Sequence, residues 1–317
     1  MTDGDKDAAT RRTVYVALAA NLSIACAKLV GGAIAGSSAM LAEGAHSVAD
    51  TMNQVFLLVS LTFARRRPDL EHPFGYGKAR FFWSFMAAVM IFVSGAVFSA
   101  FEGIDRIRSG GAGDENFPIA YAVLGFALVA EGISLVRAVK QTRQEAAEAG
   151  EPHLQYVRRS RDPTTKTVLF EDTAAVVGVV LALIGVGLSQ ATGNAAWDGV
   201  ASVAIAILLA GVAIGLGHQN YELLIGQGAR PEELGAIQDV LTRRDEVRDL
   251  VELFTMVLAP EQLLVAAHFD VSDELSGDQV EQLTDEIEAD LRRAVPSVAY
   301  VFLDPSPRRT RARARAA

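Results

Sequence analysis

The stretch Glu43–Asp50, EGAHSVAD, places a histidine and two carboxylates inside an apolar segment that runs from Met40 to Phe63. A segment of this length can cross a bilayer, which takes roughly 20 residues. An ionised carboxylate at the centre of a membrane helix costs on the order of 2.5–3.5 kcal/mol, so such groups face a bundle interior or a water-filled path. His46 and Asp50 lie four residues apart and share one helix face. They supply half of a tetrahedral site for a divalent metal.

Apolar segments in the first two-thirds of the chain predict a bundle of six membrane helices. They cover Val14–Ile34, Met40–Phe63, Phe81–Phe101, Phe117–Val136, Val168–Leu188 and Val200–Leu216. Lys and Arg are concentrated before the first segment and in the loops after the second and the fourth. By the positive-inside rule, both termini are expected in the cytoplasm. The polar opening MTDGDKDAATRR, followed by a long apolar run, predicts no cleavable signal peptide.

The last part of the chain has a different composition and predicts a soluble α/β domain. The 317-residue chain has a net charge of −9, and residues 229–307 alone hold about 18 acidic and 6 basic side chains. The apolar patterns give an α-β-β-α-β order over Pro231–Thr242, Val247–Met256, Leu263–Val271, Ser276–Val295 and Val298–Leu303. The predicted organisation is a cytoplasmic segment 1–12, a six-helix transmembrane domain 13–226, a cytoplasmic domain 227–306 and a disordered basic tail 307–317.

Several function classes are excluded by what the sequence lacks. The single cysteine, Cys26, excludes a disulfide within the chain and is expected to be a small buried apolar side chain. There is no nucleophile–base pair, phosphate-binding loop or His-Glu-x-x-His run, so the chain is not expected to be an enzyme. An acidic, membrane-embedded chain is not expected to bind nucleic acid. Glu131 and Glu102 remain as candidate members of a polar network in the bundle, Glu102 equally as an interfacial carboxylate.

Four short strings, taken in order, resemble one protein family. They are KLVGG at Lys28–Gly32, the His46/Asp50 pair, HPFGYGK at His72–Lys78 and WDG at Trp197–Gly199. Together with the closing α/β domain, they make about residues 13–305 similar to the cation diffusion facilitators, proton-coupled exporters of divalent metals. The Glu-Asp pair in the fifth span resembles a branch that also occurs in mitochondria and nuclei of eukaryotes. The resemblance implies a ferredoxin-like cytoplasmic domain and a homodimer through the membrane and C-terminal domains. It also implies a multi-pass protein of the lipid bilayer, here the bacterial inner (plasma) membrane.

The resemblance implies that the transported metal binds between the second and fifth spans. His46 and Asp50 match the ligands of span two, and Asp172 matches the second ligand of span five. The first ligand position of span five would be Val168, which cannot bind a metal. Either Glu171 supplies the fourth group, or water does, or the site works with three protein ligands. Glu43, one turn before His46, is expected beside the ligands rather than on the ion.

Two further metal sites are possible by the same resemblance. Asp69 and His72 match a loop site of some family members, but its third position holds Tyr76. A loop folded by its glycines is the simpler interpretation of that segment. In the soluble domain, His268 and Asp304 stand where some members bind regulatory zinc, without the other histidines of that arrangement.

The predicted function is export of a divalent transition metal from the cytoplasm in exchange for protons. Metal binding requires a neutral imidazole and ionised carboxylates, so it releases protons, and protons arriving from outside displace the metal. Histidine with carboxylates and no cysteine suits zinc, iron, cobalt or manganese, and zinc is favoured by its frequency in the family. The alternative is a membrane-anchored metal-binding or regulatory protein in which the missing ligand at Val168 has abolished transport.

Overall fold

The computed structural model describes residues 3–64, 66–109, 116–148, 150–159 and 163–306. These residues divide into two compact units, Met1–Phe63 with Phe82–Tyr221 and Ala64–Phe81 with Glu222–Ala317. The predicted disordered tail 307–317 lies outside the described residues. The helices are α1 (Asp3–Ala35), α2 (Ser38–Ala64), α3 (Ala79–Met90), α4 (Phe98–Arg108), α5 (Phe117–Glu148), α6 (His153–Arg159), α7 (Pro163–Thr192), α8 (Ala196–Ile225), α9 (Pro231–Thr242) and α10 (Gly277–Ala294). The strands are β1 (Val247–Ala259), β2 (Gln262–Val271) and β3 (Val298–Pro305).

Within the described ranges, six long helical stretches make up most of the first unit, which confirms the predicted helical membrane fold. They are α1, α2, the continuous stretch α3–α4, α5, α7 and α8, and each contains one of the apolar segments of the sequence. Four of them, α3–α4, α5, α7 and α8, are long and apolar enough over the described residues to span a membrane. The apolar part of α1 is shorter, and α2 carries the polar Glu43–Asp50 stretch. Buried side chains between the helices, such as Met40, Leu124 and Leu209, form the core of the bundle.

The third span contains a π-helical segment that the sequence did not predict. Residues Ile91–Val97 form this segment between α3 and α4, and the whole stretch Ala79–Arg108 remains one continuous helix. The Ser94 hydroxyl donates to the carbonyl of Met90 at 2.6 Å. A Cβ added at Gly95 would lie 3.0 Å from Leu209 of α8. A wide helical turn therefore coincides with close contact between two helices, a combination that apolar periodicity alone does not reveal.

The start of α2 is fixed by a carboxylate that comes from α8. The Asp198 side chain is fully buried and accepts hydrogen bonds from the Ser37 hydroxyl at 2.6 Å and the Ser38 hydroxyl at 2.8 Å. It also accepts from the backbone N–H groups of Ser38 at 2.5 Å and Ala39 at 3.3 Å. The first N–H groups of a helix lack partners within the helix, so Asp198 acts as the cap of α2 across the bundle.

The second unit contains the predicted α-β-β-α-β order with boundaries close to those expected. β1 pairs antiparallel with β2 through the tight turn between Ala259 and Gln262, and β2 pairs parallel with β3. The crossover between β2 and β3 is α10, whose Leu283, Ile287 and Leu291 are buried against the sheet as their spacing predicted. Segment Ala64–Phe81 belongs to this unit, with Phe81 fully buried in the same core.

Two local expectations differ from the structure. Cys26 is exposed on α1 rather than buried in the bundle. A membrane helix can turn an apolar side chain toward lipid as readily as toward a core, so apolar surroundings in sequence do not imply burial. The fourth apolar segment ends at Val136, but helix α5 continues to Glu148, and the short helix α6 lies in the connection that was expected to be a loop.

Candidate metal-transport site

The histidine and aspartate of α2 lie side by side inside the bundle. His46 is 1% exposed, and its Nε2 atom is 3.5 Å from Oδ2 of Asp50. Neither ring nitrogen of His46, nor Oδ1 of Asp50, has a hydrogen-bond partner among the described residues. Buried polar atoms are normally paired in folded proteins. An imidazole and a carboxylate with unused atoms in a membrane bundle are therefore available to an incoming ion.

The adjacent carboxylates of α7 turn to different neighbours. Glu171 Oε2 accepts a hydrogen bond from Asn53 Nδ2 of α2 at 2.6 Å. Asp172 Oδ2 accepts one from the Ser134 hydroxyl of α5 at 2.9 Å. Successive residues on a helix are about 100° apart, which explains why one carboxylate points to α2 and the other to α5. Glu171 Oε1 has no hydrogen-bond partner within the part of the chain that the structure describes.

The carboxylates of α2, α5 and α7 border one cavity in the first unit. The cavity has a volume of about 350 Å³, and its wall includes Asp50, Glu131, Glu171 and Asp172. Val168 also lines it, so the position expected for the first ligand of span five does face the cavity, with an apolar side chain. The structure thus brings together three of the predicted ligands, Asp50, Glu171 and Asp172, around one polar space.

A full coordination shell is not assembled in this arrangement. No three His, Cys, Asp or Glu side chains among the described residues are grouped closely enough to hold a metal ion. His46 lies beside Asp50 but is not part of the cavity wall. The hypothesis that His46, Asp50 and Asp172 share one ion therefore stays a prediction.

Glu43 belongs to an ion cluster next to the cavity that includes a lysine the sequence had not singled out as functional. Lys28 Nζ of α1 lies 3.1 Å from Glu43 Oε2 and 3.1 Å from Glu131 Oε1 of α5. It also donates to the Ser47 hydroxyl at 2.9 Å. Glu131 thus takes part in a polar network, as one interpretation of its position predicted. Lys28 had been quoted only as part of a family string, although a lysine in the middle of an apolar span was itself a signal.

The α7 helix approaches Glu43 closely because residue 178 is a glycine. A Cβ placed on Gly178 would overlap with Oε1 of Glu43. That oxygen has no hydrogen-bond partner among the described residues, whereas the other carboxylate oxygen binds Lys28. Gly178 therefore determines how near α2 and α7, the two helices with the predicted ligands, can lie.

The loop residues Asp69 and His72 lie in the second unit and form a hydrogen-bonded turn. The Tyr76 hydroxyl donates to Asp69 Oδ2 at 2.7 Å, and the N–H groups of Glu71 and His72 donate to Oδ1 at 3.1 and 2.7 Å. These hydrogen bonds, that of Tyr76 first, hold the pKa of Asp69 below its usual range. His72 Nδ1 is 3.6 Å from Asp69 Oδ1. Asp69 therefore already has hydrogen-bond partners within the turn where the family resemblance suggested a metal site.

The soluble-domain pair His268 and Asp304 face each other across the parallel strands β2 and β3. His268 is buried, and its Nε2 atom lies 2.8 Å from the Ser306 carbonyl oxygen, to which it donates. Asp304 Oδ1 accepts a hydrogen bond from the Ser306 hydroxyl. Both side chains have local partners at the end of the sheet, and regulatory metal binding there stays a prediction.

These features define a class before any relative is considered: a multi-pass membrane protein with a carboxylate-lined cavity and an attached small α/β domain. Residues 14–225 match the transmembrane domain of cation efflux proteins, and residues 229–307 match their cytoplasmic domain. The chain therefore belongs to the cation efflux family, the cation diffusion facilitators, which are metal transporters and not enzymes.

Individual relatives differ in the metal that their names state. The proton-coupled zinc antiporter SLC30A9 of Xenopus laevis mitochondria is 35% identical over 237 residues, which are 75% of this chain and 42% of the relative. Metal tolerance protein C4 of Arabidopsis thaliana is 32% identical over 269 residues, 85% of this chain and 59% of the relative. The manganese efflux system protein MneP of Bacillus subtilis is 23% identical over 309 residues, 96% and 98% of the two chains. The chain spans less than half of the length of SLC30A9.

Proposed function

We propose that this chain exports a divalent transition-metal cation from the cytoplasm in exchange for protons. The observation that carries the proposal is the cavity between α2 and α7, which is lined by Asp50, Glu171 and Asp172. His46 lies beside Asp50, and its ring nitrogens have no hydrogen-bond partner among the described residues. The described part of the cavity wall holds four carboxylates and the guanidinium of Arg137, so the carboxylates repel one another unless a further cation or protons neutralise them. Exchange of one kind of positive charge for the other is the chemistry that this arrangement favours.

Alternating access gives the cavity its role in the cycle. In the arrangement described here the carboxylates border the cavity, but no three of the described ligand side chains are grouped into a coordination shell. Movement of α7 against α2 would bring the side chains of the two helices around one cation. Protons that then reach the site from the other side of the membrane would replace the metal on the same oxygens.

Zinc is the favoured cargo, with iron, manganese and cobalt as the other candidates. One imidazole among carboxylates suits each of these ions. The named relatives include a zinc antiporter and a manganese efflux protein, so their names do not select one metal. Transport of the four ions therefore has to be compared in one assay. We further propose a homodimer through the membrane and cytoplasmic domains, in a bacterial inner membrane with both termini in the cytoplasm. The match to the dimerising cytoplasmic domain of the family supports the dimer.

The test is metal flux into sealed proteoliposomes with an imposed pH gradient. The wild type should transport one of zinc, iron, manganese or cobalt, and collapse of the gradient should stop net uptake. Asp50→Ala and Asp172→Ala should each lower the flux at least tenfold. Glu102→Gln is the matched control, because Glu102 is a carboxylate of the same unit that does not line the cavity and should keep its flux. Equal flux in all four proteins would contradict the proposal.

A second candidate function is favoured by Val168 and by the unassembled ligands. A protein that has kept the fold but lost one ligand would serve as a membrane-anchored metal-binding or regulatory protein. In that case the wild-type liposomes would show no more uptake than empty ones, while metal binding to the purified chain would persist. Loss of transport in Glu171→Gln but not in Asp172→Asn would instead support the transport function and identify Glu171 as the α7 ligand.

A further inference from the structure

The Lys28 ammonium is buried and donates hydrogen bonds to oxygen atoms of two other helices. Its side chain is 0% exposed, and Nζ lies 3.1 Å from Glu43 Oε2, 2.9 Å from Ser47 Oγ and 3.1 Å from Glu131 Oε1. An ammonium has three N–H donors, and here all three have an acceptor. A buried lysine with this many charged and polar partners is held as a cation at a fixed place.

The three described acceptors around Lys28 Nζ are all oxygen atoms. Two of them, Ser47 and Glu131, also line the cavity, whereas Lys28 and Glu43 are not part of its wall. The ammonium therefore lies directly behind one side of the cavity. Glu43 is 0% exposed and keeps its second oxygen, Oε1, without a hydrogen-bond partner among the described residues. Two carboxylates and a hydroxyl that converge on one positive atom have the donor set that hard divalent cations prefer.

We propose that Glu43, Ser47 and Glu131 form a second cation site, which Lys28 occupies as a resident cation of the protein. The ammonium takes the place of a metal there, so that Asp50, Glu171 and Asp172 are left to the exchangeable ion. Metal–oxygen distances are about 2.0–2.6 Å, so the oxygens need to close in by roughly 1 Å once the ammonium is gone. This second site rests on the proposed function only because it leaves Asp50, Glu171 and Asp172 to bind the exchangeable ion.

The experiment measures Mn²⁺ binding to the full chain in detergent, because Mn²⁺ prefers oxygen ligands and is observed directly by electron paramagnetic resonance. Lys28→Met removes the ammonium at similar side-chain length and should bind one more Mn²⁺ per chain than the wild type. Lys28→Arg keeps the positive charge and should gain none. Lys28→Met combined with Glu131→Gln removes one of the two carboxylates and should lose the additional Mn²⁺.

Without the ammonium, Lys28→Met has two buried carboxylates and no cation between them, so it is expected to be less stable in the absence of metal. Its unfolding temperature therefore supplies a second measurement. Millimolar Mn²⁺ should raise the unfolding temperature of Lys28→Met by several degrees more than it raises that of the wild type or of Lys28→Arg. A folded Lys28→Met protein without the additional ion would overturn the proposal, and so would an unfolded one that Mn²⁺ fails to rescue. Absence of flux in the wild type, together with the additional Mn²⁺ in Lys28→Met, would refute the transport function and leave the second site standing.

Discussion

Glu171 and Asp172 show how much a single residue position decides in this site. Both carboxylates lie on α7, yet Asn53 of α2 binds the first and Ser134 of α5 binds the second. Matching this segment to a family motif selects Asp172, whereas Glu171 Oε1 has no hydrogen-bond partner among the described residues, which makes Glu171 a second candidate ligand. The choice between them depends on rotation of α7 by less than a third of a turn, which sequence spacing does not determine.

The first prediction concerns the contact between Gly178 and Glu43. Gly178→Ala adds a methyl group that overlaps with Glu43 Oε1, and this carboxylate cannot swing away without leaving Lys28. Overpacking of this kind costs about 1–3 kcal/mol, so the unfolding temperature in detergent should fall. Gly211→Ala is the matched control, since a Cβ there meets nothing within 4 Å. Equal unfolding temperatures for the two variants would show that α7 and α2 are not held at this distance.

At the scale of elements, α2 depends on a cap that lies about 160 residues away in sequence. Asp198→Asn keeps the size of the side chain but replaces one acceptor oxygen by a donor that faces the donors of Ser37 and Ser38. We expect a loss of about 1–3 kcal/mol in stability, since a buried donor is left without an acceptor. The measurement is the unfolding temperature of the purified chain.

The control for that cap is an exposed one at the start of α8. Asn194 Oδ1 accepts a single hydrogen bond from the Ala196 N–H at 2.9 Å. Replacement of such a cap by alanine costs about 1 kcal/mol. A smaller effect of Asp198→Asn than of Asn194→Ala would mean that the buried cap contributes little to the position of α2.

The turn around Asp69 gives a prediction about pH. Its pKa is lowered mainly by the Tyr76 hydroxyl, so the turn is favoured where Asp69 is ionised. This contribution is present above the ordinary aspartate pKa of about 3.9 and is lost as the pH falls through the lowered value. Tyr76→Phe should move the pKa of Asp69 up toward its ordinary value. Carbon-13 NMR of aspartate carboxyls in the full chain, assigned with Asp69→Asn, measures the change.

The same spectra examine the loop metal site. If the hydrogen bonds alone hold the turn, the Asp69 signal should be the same with a chelator and with an equivalent of zinc. A zinc-dependent shift of Asp69 that disappears in His72→Ala would support metal binding by this pair. An unchanged pKa in Tyr76→Phe would show that the hydroxyl does not contribute to the ionised form.

At the scale of the whole molecule, the distribution of positive charge predicts the orientation in the membrane. The exposed residues Ala147, in the last turn of α5, and Ala191, in the last turn of α7, lie at helix ends that the positive-inside rule assigns to opposite sides of the membrane. In a Cys26→Ala background, Ala191→Cys should react with a membrane-impermeant maleimide in intact cells. Ala147→Cys should react only after permeabilisation. Labelling of Ala147→Cys in intact cells would reverse the proposed orientation.

The sequence by itself determined the elements of this protein. The lengths of the apolar segments predicted the long helices, and alternation of apolar residues predicted β1, β2 and β3 to within a few residues. These features depend on local patterns, because a helix or strand must bury one face whatever its neighbours are. The spacing of His46 and Asp50 placed them on one helix face in the same way.

Only the tertiary structure decided which charges meet. Lys28 joins Glu131 across 103 residues, and Asn53 joins Glu171 across 118. Such pairs depend on the rotation and separation of packed helices, where a shift of one ångström or a single glycine changes the partner. The π-helical segment Ile91–Val97 was invisible in the sequence for the same reason, since it coincides with contacts to α8 rather than with a local pattern. Local chemistry set where the helices run, and packing set what their polar side chains can bind.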